Sequence, residues 1–281
     1  MSQQRNFIRG ITLLEILLSL FLSIGLFAIL ITIYLTTVKN AAIQAAYYSI
    51  QQNSQLALQI LARDIHSAGY IGCGRLTEDF PVQTYLHYSL RPNNKIIGED
   101  SAITVRSAST ESAYLPLSMD SLQVLFVSLD AHFSRQDVVI VSDCESAEIF
   151  QIKSIESAGE NQQKIITQMP LHKHYAQYAE VSKLEENHYV VADTKRVDST
   201  GKIIKALFRR YASGHNLELV EGVQQLQFEY DVLRNNSIVR VHANAVTDWA
   251  TVVGVAMAVT VHAMSAYPLQ KMEYGYAALS S

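Results

Sequence analysis

The hydrophobic pattern divides the chain into a continuous apolar segment, an amphipathic segment and a long series of short apolar runs. Residues 16–38 carry no charged side chain and consist mostly of Leu and Ile. About 20 apolar residues span the hydrocarbon core of a bilayer, and the few Ser and Thr residues present can bond to their own helix backbone. We therefore predict a transmembrane helix over 16–38, with its N-terminal end on the cytoplasmic side because Arg5 and Arg9 precede it.

The amphipathic segment continues this helix beyond the membrane. Between Gly25 and Gly69 the sequence contains neither Gly nor Pro, so nothing in it breaks a helix. Apolar or small residues recur there every three or four positions, a spacing that indicates one buried face: Ile50, Ser54, Ala57, Leu58, Leu61, Ile65 and Ala68. We predict one helix over 11–68 whose second half packs on a globular head.

The rest of the chain has the pattern of a β-rich head. Short runs rich in Val, Ile, Phe and Tyr are separated by turn residues such as Asn235-Asn236. They predict strands over 103–107, 122–127, 137–142, 148–155, 164–169, 188–193, 203–211, 217–220, 223–233, 238–243 and 252–262. One long helix followed by strands indicates an α+β fold, with an antiparallel sheet against the second half of the helix.

Composition narrows the function classes. A hydrophobic content of 49% supplies a packed core and argues against intrinsic disorder. There are 22 Lys and Arg residues against 26 Asp and Glu, which gives a formal net charge of −4. The chain therefore has no excess of positive charge to hold phosphate groups, and we expect no nucleic-acid partner.

The sequence contains only weak candidates for catalytic, cofactor-binding or metal-binding motifs. The Gly-rich stretch from Gly69 to Gly74 follows a helix, whereas a dinucleotide-binding loop follows a strand. His172-Lys173-His174 is interpreted as a solvated loop, and Asp64 as a surface pair with its neighbour Arg63. We predict no catalytic residue, no cofactor and no metal site, and hence no enzyme.

Glu15 is the unusual residue of the apolar segment. A carboxylate held in hydrocarbon costs up to about 3.5 kcal/mol, so it requires a cationic partner. A cut between Gly10 and Ile11 would create an amino group one helical turn before Glu15, on the same face. A cleaved secretory signal and an uncleaved anchor are the alternatives, although no small-x-small cleavage site follows the apolar run closely.

The residues Arg9-Gly10-Ile11-Thr12-Leu13-Leu14-Glu15, followed by the apolar run, resemble the signal of type IV prepilins and type II secretion pseudopilins. The resemblance implies a leader over 1–10, removed by a prepilin peptidase between Gly10 and Ile11. It also implies N-methylation of Ile11, at a position where the family usually has Phe, and a role for Glu15 in filament assembly.

Three further stretches sharpen the resemblance. The segments 61–74 (LARDIHSAGYIGCG), 137–152 (DVVIVSDCESAEIFQI) and 219–232 (LVEGVQQLQFEYDV) look like the PilW group of minor pilins. This implies a pilin-like fold, with the long helix over 11–68 and a periplasmic or extracellular head over 69–281. It further implies a structural minor pilin at the tip or priming complex of a type IV pilus, which promotes pilus assembly and thereby twitching motility and adhesion.

The resemblance also implies partners and locations. Other minor pilins, the major pilin, the prepilin peptidase and a PilY-type tip adhesin are the expected partners. The chain would lie in the inner membrane as a single-pass protein before assembly and in the pilus at the cell surface afterwards.

Two alternatives stay open. The segment EGVQQLQFEYDV, with Trp249 before the last predicted strand, is shared in style with J-type pseudopilins of type II secretion. A membrane-anchored periplasmic binding protein or enzyme whose first residues imitate the signal is the other.

Cys73 and Cys144 lie inside two of the PilW-like segments. An exported head enters an oxidising compartment, which permits a disulfide between them. Two separately buried thiols are the alternative.

Overall fold

A single long helix opens the structure. The computed structural model describes residues 12–77, 79–84, 90–91, 93–159, 161–198, 201–211 and 214–263, and the backbone of 272–279. Helix α1 covers Leu13–His66, 54 residues or about 81 Å. It begins where the Thr12 side chain accepts a hydrogen bond from the Glu15 N–H, a typical N-cap. The predicted leader and Ile11 lie outside the described residues.

The two halves of α1 differ in their surroundings. Its apolar side chains from Leu13 to Val38 are exposed. Buried residues begin at Ala46 and follow one stripe, as predicted from the spacing: Ala46, Ile50, Ser54, Ala57, Leu61, Asp64 and Ile65. The exposed half is long and apolar enough to cross a membrane, which is compatible with a single-pass anchor.

The head is built from strands, fourteen of them within the described residues. They are β1 Val82–Thr84, β2 Ile96–Gly98, β3 Ala102–Tyr114, β4 Val124–Ser128, β5 Val138–Ser142, β6 Ala147–Ser157, β7 Gln162–Thr167, β8 Glu180–Val197, β9 Ile203–Tyr211, β10 Asn216–Glu221, β11 Val223–Arg234, β12 Ser237–Val241, β13 Val252–Val261 and β14 Met272–Leu279. Each of the eleven predicted strands overlaps one of these. The sequence patterns did not predict β1, β2 and β14.

The strands form two sheets instead of the single sheet that the sequence suggested. The larger has the order β10-β9-β8-β5-β6-β7-β4, with β3 beside β8, β2 beside β3, and β1 parallel to β6. The smaller has the order β12-β11-β13-β14. All pairs other than β1–β6 are antiparallel, so the α+β class is confirmed. Asn235 and Asn236 join β11 to β12 with φ of 48° and 64°, the two positive angles of a type I′ turn.

The main core lies between the second half of α1, the smaller sheet and the adjoining part of the larger sheet. The buried stripe of α1 packs against Leu226, Phe228 and Tyr230 of β11 and against the inward-facing residues of β13. A second core, at the far end of the larger sheet, lies among β4 to β8. The head therefore holds the second half of α1 firmly and leaves the first half uncovered.

Candidate functional site

Glu15 stands in the first turn of α1 and is exposed. Its N–H donates to Thr12 Oγ1 at 3.3 Å and to the Thr12 carbonyl at 3.0 Å. It lies near the positive end of the helix dipole. Along the described part of the helix the next charged side chain is Lys39, about 36 Å away. Glu15 thus has no counter-charge along the described part of the helix.

The Ser and Thr residues in the first half of α1 use their hydroxyl groups within the helix. Five hydroxyl groups of the first half of α1 donate to carbonyls of their own helix, at 2.7–2.9 Å: those of Ser19, Ser23, Thr32, Thr36 and Thr37. This confirms the predicted self-bonding of Ser19, Ser23 and Thr32. Because these five hydroxyl hydrogens are donated within the helix, they need no partner in its surroundings. Such a surface fits lipid chains or other apolar helices.

The opposite end of α1 carries a buried carboxylate. Asp64 is 8% exposed and accepts the hydroxyl hydrogen of Tyr189 and an amide hydrogen of Asn187, the latter at 3.3 Å. Arg209 Nη1 lies 3.7 Å from the same oxygen. The interpretation of Asp64 as a surface pair was wrong: Arg63 does contact it at 3.2 Å, but Asp64 points into the head, because its position falls in the buried stripe.

The contacts of Asp64, which we call the junction, join helix α1 to the middle of the larger sheet. Tyr189 and Asn187 lie on β8 and Arg209 on β9. Burial, and then the adjacent Asp64 carboxylate, raise the pKa of Tyr189, so the hydroxyl stays protonated as a donor. The Oδ1 atom of Asn187 and Nε of Arg209 have no hydrogen-bond partner among the described residues. The network thus depends on the Asp64 carboxylate.

A disulfide forms a second link between the end of the helix and the sheet. Cys73 and Cys144 are bonded, with their Cα atoms 5.4 Å apart and a sequence separation of 71. Cys73 follows the helix by seven residues, and Cys144 lies in the turn between β5 and β6. A cross-link over such a long loop restricts the unfolded chain.

A buried glutamate holds the loop beside this disulfide. Glu148 on β6 is 1% exposed and accepts from the backbone N–H of His172 at 2.8 Å, from that of Lys173 at 3.3 Å and from the hydroxyl of Tyr175 at 3.3 Å. Lys173 also pairs with Asp143 at 2.6 Å, next to Cys144. The loop His172-Lys173-His174, which we predicted to be solvated, is therefore partly exposed but held by several hydrogen bonds. No local sequence pattern indicated Glu148 as its partner.

Within the described part of the chain, no three His, Cys, Asp or Glu side chains are grouped as metal ligands are. Gly10 and Ile11, the predicted processing residues, lie outside the described residues. The candidate site is thus the exposed first half of α1, from Leu13 to Val38, which we call the apolar stem, together with Glu15. The helix is joined to the head through Asp64 and the disulfide.

Comparison with known proteins adds no relative to this picture. No family model, no curated protein and no solved structure matches the chain. The assignment of a function therefore depends on the geometry of the stem and on the sequence segments described above.

Proposed function

We propose that the chain is a pilin-like filament subunit, a structural minor pilin of a type IV pilus of the PilW kind. The observation that carries the proposal is Glu15, which has no counter-charge among the described residues and stands at the start of an exposed apolar helix. A simple anchor has no use for a carboxylate that its membrane disfavours. A subunit that docks on its neighbours uses such a charge to recognise an amine.

The mechanism follows from the stem. Removal of residues 1–10 exposes the amine of Ile11, and Glu15 pairs with such an amine within the chain or on a neighbouring subunit. The apolar stem then moves from lipid into the core of the filament. This transfer costs little because lipid tails and apolar helices are alike in polarity.

The junction transmits this movement to the head. Helix α1 is continuous from Leu13 to His66, and Asp64 and the disulfide Cys73–Cys144 fix its end to the sheets. The head therefore follows the stem as it is extracted from the membrane. The proposed place is the tip or priming complex, beside other minor pilins, the major pilin and a PilY-type adhesin, with effects on twitching motility and adhesion.

A J-type pseudopilin of type II secretion is the second candidate. The segment shared with that group forms the end of β10 and most of β11, and Trp249 packs edge-on against Tyr230 of β11, with 4.8 Å between ring centroids. The shared residues thus belong to one structural unit of the main core.

The decisive experiment is the N-terminal sequence and intact mass of the protein recovered from cell envelopes, in strains with and without the prepilin peptidase. We expect a chain that starts at Ile11 in the first strain and retains residues 1–10 in the second. Equal masses in the two strains would contradict the proposal. Counts of surface pili and assays of secreted proteins in a deletion strain then separate a pilin from a pseudopilin.

A further inference from the structure

The hairpin of β8 and β9 ends in a surface that the filament role does not explain. Val197 and Ile203 are paired across the two strands and are 61% and 50% exposed. Three lysines flank them, Lys195, Lys202 and Lys205. We refer to these five residues as the basic tip.

Two contacts show which way the tip points. Asn53 of α1 donates to the carbonyl of Glu221 at 3.1 Å, and Glu221 is the strand partner of Ala206. Further along the helix, Asp64 meets Arg209. The later residue of the helix, Asp64, is next to the later residue of β9, Arg209. Strand β9 therefore runs in the same direction as α1. The start of β9, and with it the basic tip, therefore points toward the membrane end of the helix.

The reach of the hairpin matches the position of the membrane surface. Ala206 lies at the level of Asn53. Ile203 precedes Ala206 by three residues and is therefore about 10 Å closer to the membrane, and Lys202 is about 13 Å closer. Lys39, at the end of the apolar span, lies about 21 Å below Asn53. The difference of about 8 Å is comparable with the headgroup layer, which is about 5–8 Å thick on each side of the hydrocarbon. Flexible lysine side chains can cross the remaining distance.

The charges of the hairpin end favour anions. Residues 193–205 contain four basic and two acidic side chains. Arg196 is engaged by Glu218 and Glu221, whereas Lys195, Lys202 and Lys205 have no ion pair among the described residues. Lysines at the membrane-facing end of the hairpin supply the attraction to anionic lipid that is typical of an interfacial membrane contact.

We infer that the basic tip binds the headgroups of anionic phospholipids on the leaflet from which the stem emerges. The contact holds the head against the membrane. The inference depends on α1 as a membrane span and not on the filament role.

The test uses the full chain alone in vesicles. Its only two cysteines are bonded to each other, so an added cysteine is a unique labelling site. Ile203→Cys carries a fluorophore, and the vesicles contain phosphatidylcholine and phosphatidylglycerol with a nitroxide on part of the headgroups. Asn236→Cys is the matched control, because it lies in another exposed hairpin turn, at the end of β11 opposite to Val223 and hence far from the membrane.

We expect quenching at position 203 several-fold stronger than at 236. Quenching at position 203 should fall when phosphatidylglycerol is omitted and in about 1 M salt, where the screening length is about 3 Å. It should also fall in the triple variant Lys195→Gln, Lys202→Gln, Lys205→Gln. Equal quenching at the two positions would overturn the inference, and so would quenching at 203 that is indifferent to lipid charge and to the lysines. A tip that binds a protein instead gives no quenching in these vesicles. Failure of the peptidase experiment would leave this result unaffected, because no other protein is present.

Discussion

The carboxylate of Asp64, in the last turn of α1, accepts the hydroxyl hydrogen of Tyr189, which lies 125 residues later in the chain. Asp64 also lies within reach of Asn187 and Arg209. One side chain of the helix thus accepts hydrogen bonds from two side chains of the larger sheet and lies within ion-pair distance of a third. This contact fixes the end of the helix to the head.

Replacement of Asp64 by Ala should lower the free energy of unfolding of the head by about 3 kcal/mol, because buried donors lose a charged acceptor. The chain has one Trp, Trp249, which is partly buried and packs against the main core. Its fluorescence during denaturation of the full chain in detergent therefore reports on the head. Arg63→Ala is the control, since this side chain is 71% exposed and its removal should change stability by less than about 1 kcal/mol. Similar losses in both variants would mean that Asp64 acts only through the surface pair.

The head should lose stability in alkali. Burial, followed by a neighbouring carboxylate, raises the pKa of Tyr189 and of Tyr175 above the ordinary value of 10.0. Below pH 10 both hydroxyls are protonated in the folded and unfolded chain. Above it the unfolded chain releases these protons first, so unfolding becomes more favourable as the pH rises. Denaturation midpoints measured on both sides of pH 10 should show the decline.

Tyr189→Phe should show a weaker alkaline decline than the parent protein, because it removes one of the tyrosines whose pKa is raised in the fold. Tyr178→Phe, at a position 72% exposed, serves as the matched control and should follow the parent. An unchanged decline in Tyr189→Phe would remove Tyr189 from the explanation.

Gly98 should not tolerate a side chain. A Cβ at this position would lie 1.7 Å from the Tyr230 hydroxyl oxygen, which donates to the carbonyl of Glu99 at 3.1 Å. Gly98→Ala should therefore cost about 1–3 kcal/mol through forced movement of a buried ring. Gly74→Ala, where a Cβ meets nothing within 4 Å, should be nearly neutral in the same denaturation assay. Equal stability of the two variants would show that β2 yields easily.

Loss of the disulfide should destabilise the head by about 2–5 kcal/mol, as is typical for a native bridge in an exported domain. Cys144→Ser and Cys73→Ser should show the same loss, as should reduction of the parent protein. Peptide mapping without reductant should recover the two cysteine peptides as one species. Two freely alkylatable thiols in protein taken from the periplasm would contradict the bridge.

Glu15→Leu should separate a filament subunit from a plain anchor. In an anchor the change removes a desolvation cost of up to about 3 kcal/mol and leaves function intact. In a filament subunit it leaves a neighbouring amine unpaired, at about 3–5 kcal/mol, so the variant should be inserted and cleaved yet fail to start pili. Surface pili counted by electron microscopy, with immunoblots of membrane levels, measure the difference.

Ser23→Ala is the control for Glu15, because this hydroxyl bonds only to its own helix at 2.7 Å. It should support a normal number of pili. Normal numbers in Glu15→Leu as well would mean that Glu15 does not serve assembly.

The sequence alone determined helix α1 and eleven of the fourteen described strands. Residues 16–38 lack charge, and the stripe from Ile50 to Ile65 repeats every three to four positions, so local periodicity suffices to place both halves of α1. Alternation and turn residues likewise placed eleven strands and the Asn235-Asn236 turn. The strands β1 and β2 have three residues each, too few to show a period. β14 contains Gly and Ala and is a strand because β13 pairs with it along eight positions.

Only the tertiary structure decided which distant groups meet. Periodicity marks Asp64 as part of a buried stripe, but its partners Tyr189 and Arg209 come from strands brought together by sheet pairing. The same holds for Glu148 and the His172 loop, and for the direction in which the β8–β9 hairpin points. A local pattern reports how one segment divides between solvent and core, whereas a buried polar contact depends on the path of the chain between its partners.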